Sequence, residues 1–216
     1  MQSNGVARAS AHEARALVTG STPETLARIR ERGIDAAVWR RMLSPELEQW
    51  VHLQAATREG EAAIIAQSAE PDLAPVVAFL ADEAPRARLL HDVAEIVRTY
   101  FSIVRPTRAF VELAIVSDDA CRRFHVDRVG YRFLVTYAGP GTEWLPPSRP
   151  RSLRPEAASP SEVARARTAD VVAVKGDACP DDPGYGLVHR SPPIEQSGSR
   201  RLVLRICDGS PRLFDA

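Results

Sequence analysis

The hydrophobic positions change their period near the middle of the chain. Up to about residue 106 they recur at helical spacing. Thr22-Pro23-Glu24 offers an N-cap followed by proline at a first helical position, and Leu26 and Ile29 open an apolar face that Gly33 closes. Ser44-Pro45-Glu46-Leu47 repeats the signal, with Leu47, Trp50, Val51 and Leu53 behind it. A short helix is expected over 72–80. The strongest pattern opens at Pro85, where Leu89, Val93, Ile96, Val97, Tyr100 and Phe101 form one stripe that Pro106 stops. These stripes read as core faces and carry no chemistry of their own.

From Thr107 the period is two. Phe110, Glu112 and Ala114 alternate with Val111, Leu113 and Ile115, and Phe124, Val126, Tyr131, Phe133, Val135 and Tyr137 continue in β-rich segments. Val171 to Val174 is a continuous apolar run, as in a buried strand. Leu187-Val188 leads into His189, and Leu202-Val203-Leu204 follows Arg201. Over 145–168 the chain carries Pro146, Pro147, Pro150, Pro155 and Pro160, and each proline removes a ladder donor, so no central strand fits there. That segment reads as a Pro/Arg-rich loop at one mouth of a barrel, with a short helix over 161–166. The expected division is a flexible N-terminus over 1–20, a helical part over 21–106, and a small antiparallel barrel over 107–216 with the helices packed outside it.

Composition narrows the partners. The 216 residues hold 28 basic and 28 acidic side chains, so no net field draws the chain to nucleic acid or to an anionic membrane. A small molecule is the expected partner. Lys175 is the only lysine, a bias that reads as genome composition before function. The three cysteines, Cys121, Cys179 and Cys207, form no CxxC pair and suit a reducing compartment. Met1 to Ser21 contains no continuous apolar run, and nothing approaches the roughly 20 apolar residues of a membrane span. A soluble, cytoplasmic protein is expected.

The chemistry lies in the β-rich half. His125, Asp127 and His189 are two histidines and one carboxylate, a set that holds Fe(II) on one face of an octahedron and leaves the other open. His125-Val126-Asp127 puts two ligands on one side of an extended segment, and the third arrives from a later strand. Arg201 follows on an apolar strand, where a guanidinium fork suits the far carboxylate of an oxo-acid. Thr136 or Tyr137 is the candidate for a second hydrogen bond to it, and Arg200 and Arg205 are rivals to Arg201. Cys121 with the three metal ligands would instead suit tetrahedral Zn(II).

Several segments in order form a larger pattern: Cys121-Arg122-Arg123-Phe124-His125-Val126-Asp127, Val135-Thr136-Tyr137, Gly139-Pro140-Gly141-Thr142-Glu143-Trp144, Ala169 to Gly176, Leu187-Val188-His189 and Ser199 to Leu204. This pattern resembles the double-stranded β-helix dioxygenases that use Fe(II) and 2-oxoglutarate, the phytanoyl-CoA hydroxylase-like branch most of all. More closely it resembles a bacterial family of unknown function, numbered 1826, over roughly residues 20 to 207. The resemblance implies an α+β chain with a cupin-like jelly-roll barrel and an N-terminal helical layer. It also implies His125, Asp127 and His189 as catalytic metal ligands, and Arg201 with Thr136 and Tyr137 as the cosubstrate site. Val203 departs from it, standing where that pattern often carries a small hydroxyl.

Three functions remain open from sequence: an Fe(II)/2-oxoglutarate oxygenase, a non-enzymatic zinc-handling protein on the same barrel, and a metal-free fold with buried structural histidines. His12, His52 and His91 read as surface or packing residues, and Cys207 as a buried thiol. Gly139-Pro140-Gly141-Thr142 reads as a tight turn at the barrel rim with Trp144 packed beneath it. Glu143, Asp170 and the arginines 149, 151 and 154 read as solvated loop positions.

Overall fold

Local signals set the helices, and strand burial sets the sheet. The computed structural model describes residues 15–119, 121–150 and 152–208. Strand β1 (Ala16–Gly20) leads through a 3-10 helix over Pro23–Arg30 to β2 (Ile34–Trp39), followed by α1 (Pro45–Thr57), β3 (Glu61–Ala66), α2 (Ala74–Val77) and α3 (Glu83–Val104). The second half holds β4 (Ala109–Val116), β5 (Tyr131–Ala138), β6 (Glu143–Trp144), β7 (Ala164–Arg165), β8 (Val171–Lys175), β9 (His189–Arg190) and β10 (Arg201–Cys207). At the start of α1 the Ser44 hydroxyl accepts from the Leu47 N–H at 3.3 Å, and Pro45 occupies the first turn, where its missing N–H costs nothing. Helix α3 buries Leu89, Val93, Ile96, Val97 and Tyr100, the stripe read from sequence except for Phe101, which is half-buried against the same core. It ends at Arg105, whose φ of 53° is left-handed, just before Pro106.

Seven strands form one sheet in the order β1-β2-β8-β5-β10-β4-β3, and three short strands form a second in the order β7-β6-β9. β1 and β2 run parallel, and the other pairs of the large sheet are antiparallel. One face of the large sheet carries Val111, Leu113, Phe133, Val135, Leu202, Leu204 and Ile206 into the core shared with α1 and α3. The other face meets the small sheet, where Leu134, Val172 and Val174 pack with Trp144 and Leu187. The chain is thus a mixed α+β structure built on one large sheet, and among the described residues the strand ladders do not close into a barrel. No described helix is long and apolar enough to cross a membrane.

The expected division at residue 106 does not hold. β2 and β3 lie in the part read as helical, and β1 lies in the part read as a flexible N-terminus, of which residues 1–14 fall outside the described residues. For β2 the reason is burial. Every residue of β2 is buried, so the strand shows no alternation and reads equally well as buried helix. β3, an edge strand of sequence Glu-Ala-Ala-Ile-Ile-Ala, is built largely of alanine, the best helix former. The helix expected over 161–166 is a 3-10 turn at Pro160–Glu162 running into β7.

Candidate functional site

His125 and His189 face each other across an antiparallel bridge. The His125 N–H donates to the His189 carbonyl and the His189 N–H to the His125 carbonyl, both at 2.9 Å. His189 opens β9 and pairs through its other edge with Trp144 of β6. The ring orientations are fixed by backbone acceptors: His125 Nδ1 lies 2.8 Å from the Arg123 carbonyl, and His189 Nδ1 lies 3.0 Å from the Leu187 carbonyl. A carbonyl can only accept, so each ring carries a proton on Nδ1 and turns Nε2 inward, where it presents a lone pair whenever the ring is neutral.

Asp127 completes the cluster. Its Oδ1 is 3.4 Å from His125 Nε2 and its Oδ2 is 3.3 Å from His189 Nε2. One ligand atom from each of the three residues lies within 4.8 Å of the other two. Asp127 and His189 are buried, and the His125 side chain is 34% exposed, which leaves that ring at the open side of the cluster. Burial pushes the Asp127 carboxyl up, but His189, His125 and Arg132 outweigh it and hold the group well below the usual carboxylate range. The Asp127 hydrogen bond raises His125 above the ordinary histidine value against the opposing effect of burial. Asp127 Oδ2 is buried and makes no hydrogen bond. An ionised, buried carboxylate with one unbonded oxygen, lying beside the Nε2 atoms of both histidines, fits a divalent cation, which would satisfy all three residues at once.

Arg201 opens β10 on the face turned to the small sheet. It is only 2% exposed, its guanidinium donates to Thr136 Oγ1 at 3.2 Å, and its Nε has no hydrogen-bond partner. Burial, reinforced by Arg205, lowers its pKa to about 10. No described carboxylate pairs with it. The rivals are occupied elsewhere: Arg205 pairs with Glu112 and Arg200 with Glu59. Gly139, at φ 81°, lets the turn after β5 cross close to this point, since a Cβ there would lie 2.2 Å from the Arg200 carbonyl oxygen. A cavity of about 400 Å³ is lined by His125, Arg132, Leu134, Arg201, Val203 and Arg205, so it joins the edge of the histidine cluster to the buried guanidinium.

Not every predicted residue reaches the site. Tyr137 faces the opposite side, where it is fully buried and its hydroxyl donates to Asp92 of α3 at 2.6 Å. Adjacent strand residues point to opposite faces, so Thr136 takes the site position and Tyr137 the core position. The register shift opposite Leu202 and Val203 falls at this point. Cys121 lines the cavity wall but is outside the close ligand cluster, so four-ligand coordination through sulfur is not formed. Glu143 and Asp170, read as solvated, are buried ion-pair partners: Glu143 of Arg165 and Arg190, Asp170 of Arg40. Arg149 folds into its own loop, pairing with Glu162, while Arg151 and His12 lie outside the described residues. His52 and His91 are exposed, and Cys207 is buried, as expected.

Arg132 escaped the sequence reading. It is buried on β5, and its Nη1 donates to Asp127 Oδ1 at 2.7 Å. Its only sequence signal was parity, for 132, 134 and 136 share a strand face with the hydroxyl of Thr136.

Among solved structures the chain is similar to a Pseudomonas putida prolyl-4-hydroxylase, with a TM-score of 0.45 and 10% identity over 86% of this chain and 96% of that one. It is also similar to a full-length Neurospora crassa protein in complex with alpha-KG, with a TM-score of 0.45 and 14% identity over 93% and 88% of the two chains. The Fe(II)/(alpha)ketoglutarate-dependent dioxygenase TqaL scores 0.42 at 10% identity over 76% and 74%. No curated protein matches the chain. The model of one family, described as a protein of unknown function (DUF1826), matches residues 20–206. With nearly its whole length inside that match, the chain belongs to the DUF1826 family.

Proposed function

We propose that this protein is an Fe(II)- and 2-oxoglutarate-dependent oxygenase acting on a small molecule. The observation that carries the reading is Arg201, a buried cation that no described carboxylate neutralises, opening on the cavity that His125 also lines. A buried unpaired charge is costly, and a fold keeps one where a ligand supplies the counter-charge. Two facing sheets, with His189 on the small one and His125 bridged to it, fit a double-stranded β-helix whose ladders stay open.

His125, Asp127 and His189 would hold the metal, which when bound supplies activation of dioxygen coupled to decarboxylation of the oxo-acid. Arg132 and Arg205 already face the carboxylates of Asp127 and Glu112, whereas Arg201 has only the Thr136 hydroxyl. That leaves Arg201 to grip the distal carboxylate of a dicarboxylic oxo-acid through its fork. Thr136 accepts from Arg201 and so keeps its own O–H proton for the same carboxylate. Leu134 and Val203 line the cavity between these groups and limit the water around them. Three ligands without a sulfur suit an open-faced metal better than a closed tetrahedral zinc site, which takes four.

The test is anaerobic titration of metal-stripped protein with Fe(II) and 2-oxoglutarate, following the visible metal-to-ligand charge-transfer band. The band should require both ligands, and should vanish in Asp127→Ala and in Arg201→Ala. Stoichiometric Zn(II) uptake with no band would make this a metal-handling protein instead.

A further inference from the structure

The proposed metal centre leaves one buried charge without a role. The Arg132 side chain is 8% exposed, and it lies on the same face of β5 as Thr136, the partner of Arg201. Its Nη1 takes one carboxylate oxygen of Asp127, Oδ1, at 2.7 Å. The other oxygen, Oδ2, is buried, makes no hydrogen bond, and sits 3.3 Å from His189 Nε2.

The backbone of Asp127 is held as firmly. Its carbonyl accepts from the Asp177 N–H at 2.8 Å. Gly176 permits that approach, because a Cβ there would lie 2.1 Å from the Val129 carbonyl oxygen and 2.6 Å from that of Asp127. Main chain and one carboxylate oxygen are therefore tied to the turn after β8 and to β5, and only Oδ2 is left to bind.

We infer that Arg132 is a positioning residue that holds Asp127 by Oδ1 and presents Oδ2 to the metal as a single donor. The inference rests on the metal reading above. A carboxylate can bind a cation through one oxygen or two, and the second would occupy a position that an open-faced site needs for its ligands. A guanidinium on Oδ1 competes for that oxygen with a directed hydrogen bond. Lysine keeps the charge but not the planar fork, so it would hold the oxygen less well. A purely structural ion pair would also neutralise two buried charges, but its loss would show in stability rather than in ligand behaviour.

Metal-stripped wild type, Arg132→Met and Arg132→Lys would be titrated with Co(II) alone, reading the dissociation constant and the visible d–d bands, whose intensity reports coordination number. The methionine variant should bind about 10–100-fold more weakly, the usual cost of losing a group that orients a ligand, with altered band intensity. The lysine variant should recover part of the affinity without the wild-type spectrum. Unchanged affinity and spectrum in both variants, with only the melting temperature lowered, would overturn the role. If Arg132→Met does not fold, Arg132→Lys decides the matter by the same two readouts. Wild type that takes up no Co(II) would remove the metal reading and this role together; wild type that binds beside unaffected variants would remove the role alone.

Discussion

On β5 the odd-numbered residues Tyr131, Phe133, Val135 and Tyr137 lie against the helices, whereas Arg132, Leu134 and Thr136 look toward the small sheet. Neither face is wet: the first set is at most 1% exposed and the second at most 7%. Their chemistry is what separates them. The helix face is packed apolar surface, with the Tyr100 and Phe133 rings edge-on at 5.0 Å, and its polar groups are matched: Tyr137 bonds Asp92, which also pairs with Arg41. The other face buries a guanidinium that only a hydroxyl meets and a carboxylate oxygen that nothing donates to. One face is optimised for stability; the other keeps unsatisfied groups of the kind that binding sites retain at stability's expense.

That contrast predicts opposite outcomes for substitutions on the two faces. Phe133→Ala should destabilise the protein by about 3–5 kcal/mol in denaturant unfolding, through lost burial and a residual cavity. The folded fraction should keep its metal affinity. Arg201→Met should lose about 2–5 kcal/mol of 2-oxoglutarate binding, measured by calorimetry on the metal-loaded protein. Its melting temperature should hold or rise, because a buried cation without a counter-ion has been replaced by an apolar chain of similar length. A large fall would mean that Arg201 is structural and that the two faces are alike.

Tyr137→Phe sharpens the comparison across one peptide unit. It removes the hydrogen bond to Asp92, so stability should fall by about 1.5–3 kcal/mol while 2-oxoglutarate affinity stays constant. The smallest effect is one of pH. His125 is raised by its hydrogen bond to Asp127, so its proton stabilises the metal-free fold below the ordinary histidine value and ceases to do so as pH climbs through the raised one. A metal needs the neutral ring. Its affinity should be full above the raised pKa and fall by about 1.4 kcal/mol per pH unit beneath it. An NMR titration of His125 showing an ordinary or lowered value would break that expectation.

The sequence made α1 and α3 legible because caps, prolines and apolar stripes agree there. β4, β5, β8 and β10 were legible through alternation or a buried apolar run. β2 and β3 were not, since a strand buried on both faces loses its alternation and the alanines of β3 favour a helix. The His125, Asp127 and His189 cluster could be read from its chemistry and order, and parity put Arg201 on one strand face without saying which way that face turned. Arg132 was invisible for the same reason: a lone charge in an alternating strand reads as solvent-facing until the small sheet is known to cover it. Glu143 and Asp170 were misjudged because burial of a carboxylate depends on arginines from distant elements.

The reciprocal backbone bridge between His125 and His189 has an evolutionary consequence. The spacing of these two imidazoles is dictated by a ladder rung rather than by the chain that joins them. Most of the intervening loops can therefore lengthen, shorten or drift in sequence while the two imidazoles keep their separation. For the proposed oxygenase, divergence in substrate can then be written in loops such as the proline-rich one, without renegotiating the geometry of the centre.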